Sequence, residues 1–172
     1  AGAFNHHYGR AVLTLPEPLI PREAARVMSL RDGQKKMSKS DESEYSRIAL
    51  TDDADTIARK IQKAKTDPLP LPESMEGLEQ RPEARNLLTL LAAFQGISLQ
   101  AAVEAHAGAS FSAFKKTLID AAVSHLAPIS QRHREWISDA GALRAVLERG
   151  RQKAAALAAP VLEEVKTVVG LS

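Results

Sequence analysis

The sequence contains no cysteine, which excludes a disulfide framework and any metal site built on thiolates, and is compatible with a cytoplasmic protein. Aromatic residues make up only 4% of it, so a core has to be assembled from Leu, Ile, Val and Ala. No apolar run approaches the roughly 20 residues that a bilayer-spanning helix needs. The N-terminal residues, with His6, His7, Gly9 and Arg10, form no signal-peptide apolar region. An excess of either charge is lacking as well: a net charge of +2 creates no global field for nucleic acid, so any such interface has to be a local basic patch. No internal repeat is present, and the adjacent His6 and His7 lack the three- or four-residue spacing of a helical metal pair. No metal-ligating set is expected.

What is present is a normal hydrophobic share, 44% of 172 residues, rich in Ala and poor in β-branched residues. That composition points to helix, and the length suits one domain, or a small domain plus part of another. Ala3–Tyr8 reads as the end of a helix with Gly9 as its C-cap. The three prolines of 15–21 make an extended connector. Thr51 or Asp52 is expected to cap a helix with Asp52, Asp53 and Asp55 at its start and Lys60, Lys63 and Lys65 near its end, matching the macrodipole. Ile57, Ala58, Ile61 and Ala64 are its buried stripe. Pro82 suits the first turn of the next helix, whose apolar face is Leu87, Leu88, Leu91 and Ala92, with Gly96 as its stop. Ser98 caps a short helix that closes at Gly108. Ser110 or Ser112 starts another, with Phe111, Phe114, Leu118, Ala122 and Leu126 on one face. Pro128 is expected to kink or interrupt it before Ile129, Trp136 and Ile137. A further helix from about Ala140 is expected to break or bend near Gly150, and the last, 151–169, to kink at Pro160.

Val27–Asp41 departs from this helical pattern. Val27-Met28-Ser29-Leu30 is long enough for a strand, Asp32-Gly33 is a turn pair, and the rest crowds Lys35, Lys36, Ser38, Lys39 and Ser40 into a loop without apolar periodicity. Lysine ammonium groups, serine hydroxyls and turning backbone N–H groups are suited to phosphate oxygens. On composition alone the loop reads as a solvated basic turn rather than a polyphosphate clamp.

The order of residues changes that balance. Lys36-Met37-Ser38-Lys39-Ser40 reproduces the KMSKS signature of class I aminoacyl-tRNA synthetases. The chain resembles the tryptophanyl-tRNA synthetases in Phe4-Asn5-His6, Tyr8-Gly9, Leu15-Pro16-Glu17-Pro18 and Arg26-Val27-Met28-Ser29-Leu30. The resemblance continues through Ser46-Arg47-Ile48, Ala64-Lys65-Thr66-Asp67-Pro68 and Asn86-Leu87-Leu88, and reaches His125-Leu126-Ala127-Pro128-Ile129 and Gly170-Leu171. It follows the C-terminal part of that family. The HIGH-type signature and the tryptophan pocket of the family's N-terminal half are not found here, so the chain resembles a C-terminal portion of a longer enzyme.

The resemblance implies a mainly α fold: a helical bundle preceded by the C-terminal edge of a Rossmann-type nucleotide-binding domain. Residues 1–50 would be the remnant of the catalytic domain and 51–172 the helical anticodon-binding domain. It implies ATP as substrate, with Mg2+, and tRNA and tryptophan as partners of a homodimeric, cytoplasmic parent enzyme that contacts no membrane. Lys39 takes the larger transition-state role and Lys36 the second, Ser38 and Ser40 are supporting donors, Met37 an anchor, and the backbone at Val27 and Met28 borders the adenine. Lys35 is a third cation nearby or a solvated flank. The basic residues Lys115, Lys116, Arg132, Arg134, Arg144, Arg149, Arg151 and Lys153 face the anticodon stem or are ordinary helix surface. Trp136 is a stacking platform or, as its apolar stripe suggests, core. Two other readings stand beside this one: a non-catalytic RNA-binding helical module with a signature-like loop, and a tyrosine-specific relative. The fragment is expected to be folded but inactive alone, with Val27–Leu30 a strand whose partners lie upstream.

Overall fold

The computed structural model describes residues 1–20 and 25–171. It is mainly helical, and its contacts group into two compact units, Ile20–Arg134 on one hand and Ala1–Leu19 with Glu135–Ser172 on the other. Among the described residues the helices are α1 (Gly2–Tyr8), α2 (Ala54–Gln62), α3 (Pro82–Gln95), α4 (Leu99–Ala105), α5 (Phe111–Ser138) and α6 (Ala140–Val169). No single helix among them is long and apolar enough to cross a membrane.

The larger unit holds the core. α2 starts where Asp53, rather than Thr51 or Asp52, accepts the N–H of Thr56 at 2.8 Å. Asp52 is diverted inward: it accepts from Lys60 Nζ at 2.6 Å and from the Ala49 N–H at 2.9 Å. Ile57, Ile61 and Ala64 are buried as the spacing demands. α3 opens on Pro82 and ends at Gly96 in the left-handed region (φ 66°). A tight turn then lets Ser98 cap α4 by accepting the N–H of Ala101. Leu87, Leu88, Leu91, Ala102, Val103, Phe114, Leu118 and Ala122 pack together as the centre of this unit.

The expected strand at 27–30 is not one. Val27–Ser29 instead forms a two-rung hairpin with the return leg of its own loop: Ser29 N–H donates to Lys35 O at 2.8 Å, and Met37 N–H to Val27 O at 3.0 Å. The Asp32-Gly33 turn brings the second leg back before any more distant partner is needed. Leu30, 2% exposed, leaves the hairpin to join the helical core, and Val27, Met37 and Ile48 pack against it.

In the smaller unit α1 closes at Gly9 (φ 61°), as its sequence indicates. Asn5 holds the following chain, donating to Leu13 O at 2.7 Å and accepting the N–H groups of Val12 and Leu13. α6 is capped by Asp139 and ends at Gly170 (φ 79°). No helix ends at the three positions where an interruption is one expectation: Pro128 lies inside α5, and α6 continues past Gly150 and Pro160, so the separate helix expected over 151–169 is part of α6. A proline removes a single N–H donor and costs about 3 kcal/mol, and a glycine about 1. Long flanking runs of good helix formers such as 151–159 outweigh both. Trp136 is 39% exposed and Ile137 60%, so Trp136 is not core: residues 131–140 are all exposed.

Candidate nucleotide-binding site

The hairpin is braced on three sides. At its tip, Asp32 accepts the Gln34 N–H at 2.9 Å, fixing the turn. Gly33 is buried against the start of α3, so close that a Cβ there would lie 2.5 Å from the carbonyl carbon and oxygen of Pro82. Behind it, Lys65 N–H donates to Leu30 O and Leu30 N–H to Ser46 O, while Lys65 Nζ reaches Glu83 at 2.8 Å, a partner that raises its pKa.

Beyond the hairpin the chain turns at 38–43. Ser38 Oγ lies 3.0 Å from Ser40 Oγ and accepts the Ser40 N–H. Asp41 accepts the N–H of Ser43, which together with Lys35 Nζ at 3.4 Å holds its carboxyl below the usual carboxylate range. Arg47 ties off the exit, donating to the carbonyls of Asp41 at 2.9 Å and Ser43 at 3.3 Å. The carbonyls of Asp41 and Ser43 are thereby engaged, while Lys36 and Lys39 are exposed.

The result is a cleft of about 630 Å³, large enough for a nucleotide-sized ligand. Lys36, Met37, Ser38 and Lys39 line one wall, Ala25, Arg26 and Val27 another, and Arg47 to Thr51 the third. Lys36 and Lys39 are exposed, whereas Met37 and Val27 are half-buried against the core. Their apolar parts, with Ile48, form a surface suited to a planar ring, and the ammonium groups stand at its rim. Of the residues singled out from sequence, Met28, Lys35 and Ser40 are not on the lining. Ser40 touches the lining residue Ser38. Arg26, Arg47 and Leu50 line the cleft without having been singled out from sequence. Among the described residues no three His, Cys, Asp or Glu groups converge to hold a metal.

The basic residues of the helices are placed less uniformly. Lys115 is committed inside its unit: its Nζ donates to Gln62 O at 2.9 Å and Ala64 O at 2.7 Å, at the C-terminal end of α2, and burial lowers its pKa. Arg151 pairs with Glu148 at 2.6 Å on α6. Lys116, Arg132 and Arg134 are exposed in the larger unit, and Arg144, Arg149 and Lys153 in the smaller.

The family model of class I tRNA synthetases (W and Y) matches residues 1–126. The tryptophan–tRNA ligase of Caulobacter vibrioides is 50% identical over 171 residues, 99% of this chain and 50% of that protein. That of Mesorhizobium japonicum is 49% identical over 157 residues, 91% of this chain and 44% of its own. Among solved structures, the tryptophanyl-tRNA synthetase of Mycoplasma pneumoniae superposes with a TM-score of 0.81 at 27% identity, covering 99% of this chain and 51% of that one. The chain spans about half the length of the curated relatives it matches.

Proposed function

The chain belongs to the class I tRNA synthetases of the W and Y family, and we propose that it is the C-terminal part of a tryptophan–tRNA ligase, contributing the phosphate-side wall of the ATP site and a helical tRNA-facing part. One observation carries the site: Lys36, Ser38, Lys39, Met37 and Val27 line a single cleft with an apolar face and a cationic rim. The names of the similar proteins support tryptophan over tyrosine and a ligase over a non-catalytic RNA-binding module. Residues 1–50 serve catalysis and 51–172 the tRNA, although Leu30 shares the helical core.

In the activation step the tryptophan carboxylate attacks the α-phosphorus of ATP. A carboxylate–phosphorus bond forms, the bond to the bridging oxygen breaks, and pyrophosphate leaves with the electron pair. No protein nucleophile is required. Negative charge grows on the leaving oxygens, and preorganised cations at that point lower the barrier. Lys39 and Lys36 fit that role, Ser38 and Ser40 that of neutral donors, and the backbone at Val27 the adenine side. Mg2+ would come bound to the triphosphate, as it is held largely through phosphate oxygens and water, since no described cluster of this chain provides a cage. The parent works in the cytoplasm, where tRNA is charged, and acts as a homodimer.

Lys39→Ala in the full-length protein tests the site. Tryptophan-dependent ATP–pyrophosphate exchange should slow by about 10²–10³, the usual loss for one preorganised charge stabiliser, while tryptophan binding stays unchanged. An unaltered exchange rate would reduce the loop to solvated surface.

A further inference from the structure

Within the hairpin, Met28 faces Lys36 across a pair in which the cross-strand hydrogen bonds belong to the neighbours on either side. The N–H and C=O of Met28 therefore point outward, where a third strand would normally take them. A side chain takes them instead. Asn86, on the first half of α3 and 5% exposed, accepts the Met28 N–H on Oδ1 at 3.2 Å. Its Nδ2 donates to Met28 O and Ser29 O, both at 3.1 Å. The reverse amide orientation would set NH2 against an N–H and oxygen against two carbonyls, so the carboxamide fits one way only.

We propose that Asn86 is a positioning residue for the phosphate-binding loop: its carboxamide stands in for the missing strand, locks Met28, and through the Met28–Lys36 pair fixes where Lys36 and Lys39 stand over the cleft. Two rungs do not make a stable hairpin in water. The helical core supplies the third side through Asn86, and displacement of a reacting group by 1 Å can cost about 10²-fold in rate. The kinetic half of this proposal rests on the ligase reading; the structural half does not.

The test uses full-length protein carrying Asn86→Ala, with the isosteric Asn86→Asp, which keeps the acceptor for the Met28 N–H but loses the donor to the two carbonyls, as the second variant if the first does not fold. Amide hydrogen exchange across residues 27–37 should accelerate by about tenfold or more, with the rest of α3 unchanged. In pyrophosphate exchange, kcat should fall by about 10–10² and the KM for ATP rise, while the KM for tryptophan keeps its value. Unchanged hydrogen exchange overturns the proposal. So does a loosened hairpin with normal ATP kinetics, or an equal loss toward both substrates with a collapsed melting transition. If the unmodified protein shows no tryptophan-dependent exchange, the ligase reading falls, and hydrogen exchange alone still decides whether Asn86 holds the hairpin.

Discussion

The pair Asp52–Lys60 shows how one residue's role can be misjudged from spacing. Lys60 sits near the end of α2, where a cation complements the helix dipole, yet the side chains are only 13% and 7% exposed and lie 2.6 Å apart. Removing one member of a buried pair strands the other, at a cost of about 3–5 kcal/mol. Asp52 keeps the Ala49 N–H as a second partner, while among the described residues Lys60 Nζ bonds to Asp52 alone. Asp52→Ala should therefore lower the urea midpoint more than Lys60→Met does, and equal losses would contradict this pairing. Gly33 is constrained by space. The Cβ of Gly33→Ala would press on the Pro82 and Glu83 backbone, and overpacking of this kind costs about 1–3 kcal/mol. Thermal unfolding should report it as a lower Tm.

At the scale of elements, the Asp67–Arg81 pair folds the proline-rich link 67–72 onto the start of α3. Arg81 grips both carboxylate oxygens, at 3.0 and 2.6 Å, and also donates to the carbonyls of Leu69 and Pro70. Burial pushes the Asp67 carboxyl up, but Arg81 and the Leu69 N–H outweigh it, so its folded pKa lies below 3.8. A carboxyl with a depressed folded pKa adds stability that is present above its unfolded value and is lost as pH falls through the folded one. Wild type should thus lose stability below about pH 4 that Asp67→Asn never has, and the two denaturation curves should converge in acid. Parallel curves would separate the pair from acid unfolding. The helices themselves were largely legible. Pro82, Gly96, Ser98 and the 3.6-residue stripe of Phe114, Leu118 and Ala122 each carry a local physical signature. What could not be read was tertiary: Asp53 caps because Asp52 is drawn to Lys60, Lys115 is spent on the end of α2, and Pro128, Gly150 and Pro160 are absorbed by their long helices. In the cleft, Lys36 to Ser40 stand out as an ordered motif. Arg47 and Asn86 fall in segments that carry the family resemblance, but their roles are hydrogen bonds to backbone atoms, which the residue pattern alone does not reveal.

For the whole molecule, helical content and catalytic competence separate. The unit Ile20–Arg134 has a continuous apolar core and capped helices, so the isolated chain should give strong helical circular dichroism and a cooperative melt. In the proposed reading it supplies the phosphate side of the site without the tryptophan pocket, and positioning both substrates supplies much of the rate. It should therefore show no ATP–pyrophosphate exchange, and measurable tryptophan activation by it would defeat the fragment reading. The exposed lysines and arginines predict weak tRNA binding with a steep salt slope, checked by gel shift at two salt concentrations.

The plugged outer edge at Met28 has a further bearing, on solubility. A hydrogen-bonding edge left open is a template on which like segments stack into aggregates. Here the groups that would start such stacking are consumed within the molecule by an amide side chain. Concentrated wild-type solutions should stay clear where Asn86→Ala solutions grow turbid and bind amyloid dyes.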